Sequence, residues 1–310
     1  MSDIVISEFM DEAAVENLRA RFDTLYEPTL VDRPAELAQA LEKARALIVR
    51  NRTQVREALL EAAPALECIG RLGVGLDNID MDACKARGVT VYPATGANDL
   101  AVAEYVITTA LVLLRGAYYA SDAVAGGTWP RQALIGGEAS GRTIGLVGFG
   151  SIAREVARRA DALGMSVIAY DPFLPADNPA WEAARNVSLE DLLAEADAVS
   201  LHTPLTPDTR HIIDAAAFAR MKKEAVLINA ARGGIVDEEA LCAAMREGQI
   251  AGAALDVFEE EPLSAGSGEK FRGLKNMVLT PHIAGVTHES NVRVSRKTAE
   301  SVLQHLGGKA

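Results

Sequence analysis

Short apolar runs alternate with amphipathic stretches along nearly the whole chain, and this alternation restricts the possible folds more than any other feature. Repeated strand–helix–strand units pack as parallel sheets with helices on both faces, because right-handed crossovers bring each helix back over the sheet. In the first third the pattern predicts strands over Ile4–Phe9, Ala46–Arg50, Cys68–Leu72 and Val89–Tyr92. Helices are predicted over Asp11–Arg21, Pro34–Ala44, Thr53–Ala62 and Asp80–Arg87, the last stopped by Gly88. Asn98-Asp99 can cap a long helix running to about Arg115, which is apolar nearly all round and therefore expected to be buried. The Gly-rich stretch 116–141 has no usable period and receives no assignment.

From Thr143 the alternation strengthens. Strands are expected over Thr143–Gly148, Ser166–Tyr170, Ala198–His202, Ala225–Ala230, Ala251–Val257 and Met277–Thr280. Helices are expected over Ser151–Leu163, Asp237–Glu247 (ended by Gly248) and Glu289–Leu306, and one more opens at the capping box Ser188-Leu189-Glu190-Asp191. Leu263–Lys270, with its Ser, Ala and Gly, reads as a mobile surface loop. At 310 residues the chain suits two domains, each with its own core.

Charge narrows the function. A net charge of -12 spread along the sequence disfavours nucleic acid and anionic membranes, both of which require basic surface. An anionic small molecule would need arginines concentrated at its site. Cys68, Cys84 and Cys242 are odd in number and lack metal-ligand spacing, so buried thiols in a reducing compartment are expected, with no metal. Met1–Ile6 has no basic region leading into an apolar one, and Leu100–Leu114 is short and interrupted by Glu104, Thr108 and Thr109. A cytoplasmic protein is expected.

Gly148-Phe149-Gly150-Ser151-Ile152-Ala153 falls between an expected strand and an expected helix. There the first glycine permits a tight turn. The second lets backbone approach a pyrophosphate, which rests on helix N–H groups, and a small third residue allows helix–sheet packing. Asp171 follows Gly150 by 21 residues, at the end of the next strand, where a carboxylate binds the adenosine ribose hydroxyls. Asp171-Pro172-Phe173 has no basic neighbour for a 2′-phosphate, so NAD is favoured over NADP.

Three later segments each follow an expected strand, where open α/β sheets place ligand-binding groups. They are Asn229-Ala230-Ala231-Arg232-Gly233-Gly234-Ile235-Val236-Asp237, Asp256-Val257-Phe258-Glu259-Glu260-Glu261-Pro262 and Pro281-His282-Ile283-Ala284-Gly285. Together with the glycine motif, and with Gly73-Val74-Gly75-Leu76-Asp77-Asn78-Ile79-Asp80, Arg142-Thr143-Ile144-Gly145 and His202-Thr203-Pro204-Leu205, they make the chain resemble the D-2-hydroxyacid dehydrogenases over essentially its whole length. The resemblance implies two Rossmann-like, doubly wound α/β domains with a discontinuous boundary: an outer substrate domain of 1–97 and 286–310, and an NAD domain of 98–285. It also implies a cleft that closes, and a homodimer built on the long apolar helix.

By resemblance, Arg232 would pair with the substrate carboxylate and the C2 oxygen, His282 would exchange the proton, and Glu261 would hold His282. Glu261 is preferred to Glu259 and Glu260 because it precedes Pro262, as in the family motif. NAD contacts are implied at Val74, Gly148, Gly150, Ser151, Ile152, Asp171, Thr203, Ala230, Asp256 and Gly285, and substrate contacts at Gly73, Val74 and Gly75.

The substrate expected is a small anionic 2-hydroxy or 2-oxo acid. Val49-Arg50-Asn51-Arg52-Thr53 follows the expected strand Ala46–Arg50, and two arginines there would suit a second anion on C3. Arg52 starting a helix and pointing to solvent is the alternative. Candidate substrates are (S)-3-sulfolactate and D-3-phosphoglycerate, with hydroxypyruvate or glyoxylate as further possibilities. The opening Ile6–Glu12 is similar to the shorter family members that act on sulfolactate, and no regulatory domain is expected after the last helix. The expectation from another class is an NAD-sensing, corepressor-like binding protein on the same fold.

Overall fold

The computed structural model describes residues 2–307. The chain divides into two compact units, Met1–Asn98 with Val286–Ala310, and Asp99–Gly285.

In the first unit, strands β1 (Ile4–Ile6), β2 (Thr24–Tyr26), β3 (Ala46–Val49), β4 (Cys68–Arg71) and β5 (Thr90–Pro93) alternate with helices α1 (Glu12–Arg19), α2 (Pro34–Leu41), α3 (Glu57–Glu61) and α4 (Met81–Ala86). All pairings are parallel, in the order β2-β1-β3-β4-β5. The period of two sorts side chains between the faces. Ile4, Ile6, Ala46 and Ile48 pack with α1, whereas Val5, Leu47, Val49 and Ile69 pack with α2 and α3. The C-terminal helix α11 (His288–Gly307) completes the first of these faces with Val294, Ala299, Val302, Leu303 and Leu306.

The second unit begins with α5 (Asp99–Arg115) and a short α6 (Ser121–Ala125). Strands β6 (Thr143–Val147), β7 (Ser166–Tyr170), β8 (Arg185–Asn186), β9 (Ala198–Leu201), β10 (Val226–Asn229), β11 (Gly252–Leu255) and β12 (Met277–Leu279) follow. Between them run α7 (Ser151–Ala162), α8 (Leu189–Glu195), α9 (Ala215–Arg220) and α10 (Glu238–Glu247). The sheet is again parallel throughout, in the order β12-β11-β10-β9-β6-β7-β8. Ile144, Leu146, Val226 and Ile228 face α5 and α7, whereas Val147, Val199, Leu227 and Leu255 face α8, α9 and α10.

Both sheets are thus the doubly wound α/β form that the alternation predicts. Gly88 and Gly248 take left-handed φ values of 71° and 69° just beyond α4 and α10, as helix-ending glycines do. The Ser188 hydroxyl accepts the Asp191 N–H at 3.0 Å and caps α8. All three cysteines are buried.

Where expectation and structure differ, local bonding explains it. The helix expected over Thr53–Ala62 is shortened to α3, because residues 50–53 are bound to Glu8 and Val55 bridges to Ile79. Edge strands β2 and β8 are only 3 and 2 residues long, too short for a periodic signal. Leu263–Lys270 ends in a 3₁₀ turn, Ser267–Phe271, where Lys270 meets the buried Glu238 at 2.7 Å and Phe271 is buried. Among the described residues no single helix is long and apolar enough to cross a membrane.

Candidate active site

Strand order in the second unit reverses between β6 and β9, and the glycine motif lies at that reversal, where doubly wound sheets bind ligands. Gly148 has φ 89°, and a Cβ on it would come within 2.8 Å of the His202 carbonyl oxygen. Only glycine fits there. Gly150 precedes α7, whose N-terminus has no side-chain cap, and the space where a Gly150 side chain would stand is open. Positive helix-end N–H groups therefore face a gap of the kind a pyrophosphate fills.

Asp171 reaches the same turn. Its Oδ2 accepts the Phe149 N–H at 2.8 Å and its Oδ1 accepts the Phe173 N–H at 3.0 Å, which fixes the carboxylate at the end of β7 and leaves it lone pairs for hydroxyl donors. The Thr203 hydroxyl is buried with no hydrogen-bond partner among the described residues, so this region holds an unmet polar group. The glycine cradle, the uncapped helix, the fixed carboxylate at the end of β7 and the orphaned hydroxyl all fit a dinucleotide. His202 lies beside them, its Nε2 3.0 Å from the Ser200 hydroxyl, and burial pulls its imidazole down to about 4, so it is neutral at neutral pH.

The loops after β10, β11 and β12 carry the other candidates. Asn229, 1% exposed, fastens the first: its Nδ2 donates to the Arg232 carbonyl at 2.9 Å and its Oδ1 accepts the Ala231 N–H at 3.1 Å. Arg232 Nη1 donates to the Ala231 carbonyl at 2.5 Å. A Cβ on Gly233 would lie 1.7 Å from the Phe258 carbonyl oxygen, so the Arg232 loop and the 256–261 turn approach as closely as they do only because residue 233 is glycine.

Within that turn the Glu261 Oε1 accepts the Phe258 N–H at 3.0 Å, and Oε2 accepts Nδ1–H of His282 at 2.7 Å. Burial works against the Glu261 charge. The hydrogen bonds from His282 and Phe258, with the charges of His282 and Arg232, outweigh it and hold the carboxyl below the ordinary carboxylate range. The neighbouring Glu259 turns elsewhere and meets His211 Nε2 at 3.0 Å. His282 has a left-handed φ of 54°, uncommon outside glycine. Its N–H donates to the Asp256 carbonyl at 2.8 Å, and the Asp256 carboxylate accepts the Ile283 and Ala284 N–H groups, each at 2.8 Å. Ala230 directly follows β10 and Gly285 directly follows this clamp.

In the first unit, strand order reverses between β1 and β3, and the loops after those strands meet. Glu8, 4% exposed, accepts the N–H groups of Arg50, Arg52 and Thr53 at 2.9, 3.1 and 2.9 Å. Asn78 Nδ2 donates to the carbonyls of Arg50 and Thr53 at 3.2 and 2.7 Å, clamping the other side. The half-buried Arg50 donates to Asn291 Oδ1 at 2.6 Å and lies over the Phe9 ring, 5.8 Å from its centroid. Arg52 is exposed and ion-paired with Asp32. Gly73, Val74 and Gly75 follow β4. The Arg71 guanidinium fills the place where a Gly73 side chain would be, only 2.0 Å from a built Cβ. Sequence reasoning gave no role to Glu8, Asn78 or Asn229, although an amide closing a buried strand was a usable signal at Asn229.

A doubly wound sheet with a dinucleotide cradle and a carboxylate–imidazole pair defines a nucleotide-dependent dehydrogenase. The family model for the NAD-binding domain of the D-isomer specific 2-hydroxyacid dehydrogenases matches residues 107–284. An (S)-sulfolactate dehydrogenase of Chromohalobacter salexigens is 55% identical, over 100% of both chains. A D-3-phosphoglycerate dehydrogenase of Archaeoglobus fulgidus is 38% identical over 98% of this chain, which spans 57% of that longer protein. The solved D-lactate dehydrogenase of Aquifex aeolicus, complexed with NAD and lactic acid, superposes with a TM-score of 0.84 at 30% identity, covering 98% of this chain and 96% of that one. The chain belongs to the D-isomer-specific 2-hydroxyacid dehydrogenases, NAD-dependent oxidoreductases of small 2-hydroxy acids.

Proposed function

We propose that the protein interconverts (S)-3-sulfolactate and 3-sulfopyruvate, with His282 as the group that exchanges the C2 hydroxyl proton. The observation that carries the proton assignment is the 2.7 Å bond between His282 Nδ1 and Glu261, which fixes the tautomer and leaves Nε2 as the nitrogen to exchange a proton. In oxidation Nε2 takes the hydroxyl proton as the C2–H bond breaks; in reduction it returns that proton to the C2 oxygen. Arg232 pairs with the C1 carboxylate and polarises the C2 oxygen through its planar fork. Bound NAD supplies the chemistry of accepting or donating the C2 hydride. Gly148, Gly150, Ser151, Ile152, Asp171, Thr203, Ala230, Asp256, Gly285 and Val74 are the residues we assign to holding it.

The choice of a sulfonate rests on Arg50 and Arg52, whose backbone is held by a buried carboxylate, and on the full-length likeness to the Chromohalobacter enzyme. A side chain on an anchored backbone loses less entropy on binding an anion, and the Arg50 guanidinium is itself held by Asn291. The deciding experiment follows NADH oxidation with 3-sulfopyruvate, 3-phosphohydroxypyruvate, hydroxypyruvate, glyoxylate and pyruvate. The highest kcat/KM is expected with 3-sulfopyruvate. A preference for 3-phosphohydroxypyruvate would reassign the substrate to phosphoglycerate, and no turnover of any would favour an NAD-sensing binding protein.

A homodimer is part of the same proposal. The segment around α5 and α6 exposes Leu111, Tyr118, Tyr119, Trp129 and Ile135, large apolar side chains that a second copy would cover. Light scattering should give twice the chain mass, and Trp129→Asp should reduce it.

A further inference from the structure

The Asp256 carboxylate, which clamps the backbone on the C-terminal side of His282, has a third donor. Thr280 Oγ1 lies 2.6 Å from Asp256 Oδ1, and the Tyr105 hydroxyl of α5 lies 2.6 Å from Thr280 Oγ1. We propose that Tyr105 and Thr280 are positioning residues for His282, acting on its loop through Asp256. The inference rests on the proton-exchange role proposed for His282.

Proton counting fixes the direction of the chain. A carboxylate can only accept, so the single hydroxyl proton of Thr280 goes to Asp256. Thr280 then has only lone pairs to offer, and Tyr105 must donate to it. Burial, with the charge of Asp256, raises the Tyr105 phenol to about 12, so the donor persists across the working range of pH. Asp256 is 1% exposed, with its two oxygens committed to Thr280, Ile283 and Ala284. Its rotamer sets where those two N–H groups lie, and they directly follow His282. A left-handed φ of 54° at a non-glycine residue persists only where neighbours over-determine it. Tyr105 is therefore the far end of the clamp that holds the histidine in this conformation.

The test measures kcat, KM and melting temperature for Tyr105→Phe, Thr280→Val, Thr280→Ser, the double variant Tyr105→Phe/Thr280→Val, and Tyr105→Phe in a His282→Asn background. Losing one neutral hydrogen bond should lower kcat about 2- to 12-fold in Tyr105→Phe, with folding retained because the ring shape is kept. Thr280→Val should do more, about 5- to 140-fold, because it removes a donor to Asp256 and strands the phenol without an acceptor. Thr280→Ser should restore activity. Adding Tyr105→Phe to Thr280→Val should recover part of the loss, since the stranded donor is then gone. In the His282→Asn background Tyr105→Phe should change kcat no further.

An equal loss from Tyr105→Phe in both backgrounds would make the chain scaffold only, and strictly additive effects of the two substitutions would break the relay. If His282→Asn cripples turnover while Tyr105→Phe is silent, the positioning role alone fails. If His282→Asn itself retains turnover, the proton-exchange role and the inference built on it fall together.

Discussion

The Glu261 Oε2 atom lies 2.7 Å from Nδ1 of His282, while Glu259, two residues earlier on the same turn, points to His211 at 3.0 Å. Two of three consecutive glutamates thus serve different imidazoles. The hydrogen bond from His282 helps hold the Glu261 carboxyl ionised, and the carboxylate in turn fixes the proton on Nδ1. Glu261→Gln should therefore lower kcat in both directions, because an amide can present its own N–H to Nδ1 and favour the other tautomer. Glu259→Gln should leave kcat in place. Initial rates in both directions check both variants, and a loss confined to Glu259→Gln would transfer the role to that residue.

Removing the imidazole is a coarser test of the same assignment. His282→Asn should lower kcat by about 100- to 10,000-fold, the range for a lost general acid or base, while NADH still binds. Fluorescence titration with NADH separates the two effects. Wild-type turnover in this variant would require another proton carrier.

Cofactor choice should follow Asp171. Its carboxylate is fixed by the Phe149 and Phe173 N–H groups, so it would confront a 2′-phosphate directly. NAD should be strongly preferred, and Asp171→Ser should raise kcat/KM for NADP while lowering it for NAD. Equal use of both by the unaltered enzyme would remove Asp171 from the ribose site.

His202 predicts an acid weakness away from the reaction. Burial lowers its imidazole to about 4, from an unfolded value of about 6.5, so the unfolded chain binds the extra proton first as pH falls. The stability this neutral ring supports is complete above about pH 6.5 and is lost progressively down to about pH 4. The residue is partly exposed, so about 3 kcal/mol is the upper end of the loss. Urea melts at pH 7 and pH 5 should show a larger difference for the wild type than for His202→Gln.

The legible parts of this molecule were those set by short-range physics. Strand period, glycine stops and the Ser188 cap depend on neighbours in sequence, and so did the turn at Gly148, while Asp171 was legible only by its spacing from the glycine motif. Illegible were contacts made across strands. Glu8 reaches residues 50–53, and nothing near Ile6-Ser7-Glu8 announces that its carboxylate will take three N–H groups there. Those bonds hold Thr53 out of the helix its pattern predicts. Tyr105 likewise reads as one more apolar position of α5, and its hydroxyl gains meaning only from Thr280, 175 residues away. The choice of Glu261 within its triplet came from a family motif, because spacing alone could not tell it from Glu259.

The two arginines after β3 differ in how prepared they are, and that difference sets the last prediction. Arg50 is half-buried, hydrogen-bonded to Asn291 and laid over Phe9, whereas Arg52 is exposed and already neutralised by Asp32. A charge-assisted hydrogen bond contributes about 1.5–3 kcal/mol, or roughly 10- to 150-fold in specificity. An exposed ion pair that must first be broken returns about 0.2–1 kcal/mol of that. Arg50→Gln should therefore weaken use of a C3-sulfonated or phosphorylated substrate by the full factor, and Arg52→Ser by less. Neither should much affect a substrate lacking the second anion, whereas Arg232→Gln should damage every substrate, since all share the C1 carboxylate. Asp32→Asn supplies the opposite sign. Freeing Arg52 should improve kcat/KM for the dianion by about 1.4- to 5-fold and leave the monoanion unchanged. The comparison is read as kcat/KM ratios of variant to wild type on each substrate. If Arg50→Gln and Arg52→Ser lose the same factor on mono- and dianions, both arginines serve the loop rather than the substrate, and the second anion must be recognised elsewhere in the first unit.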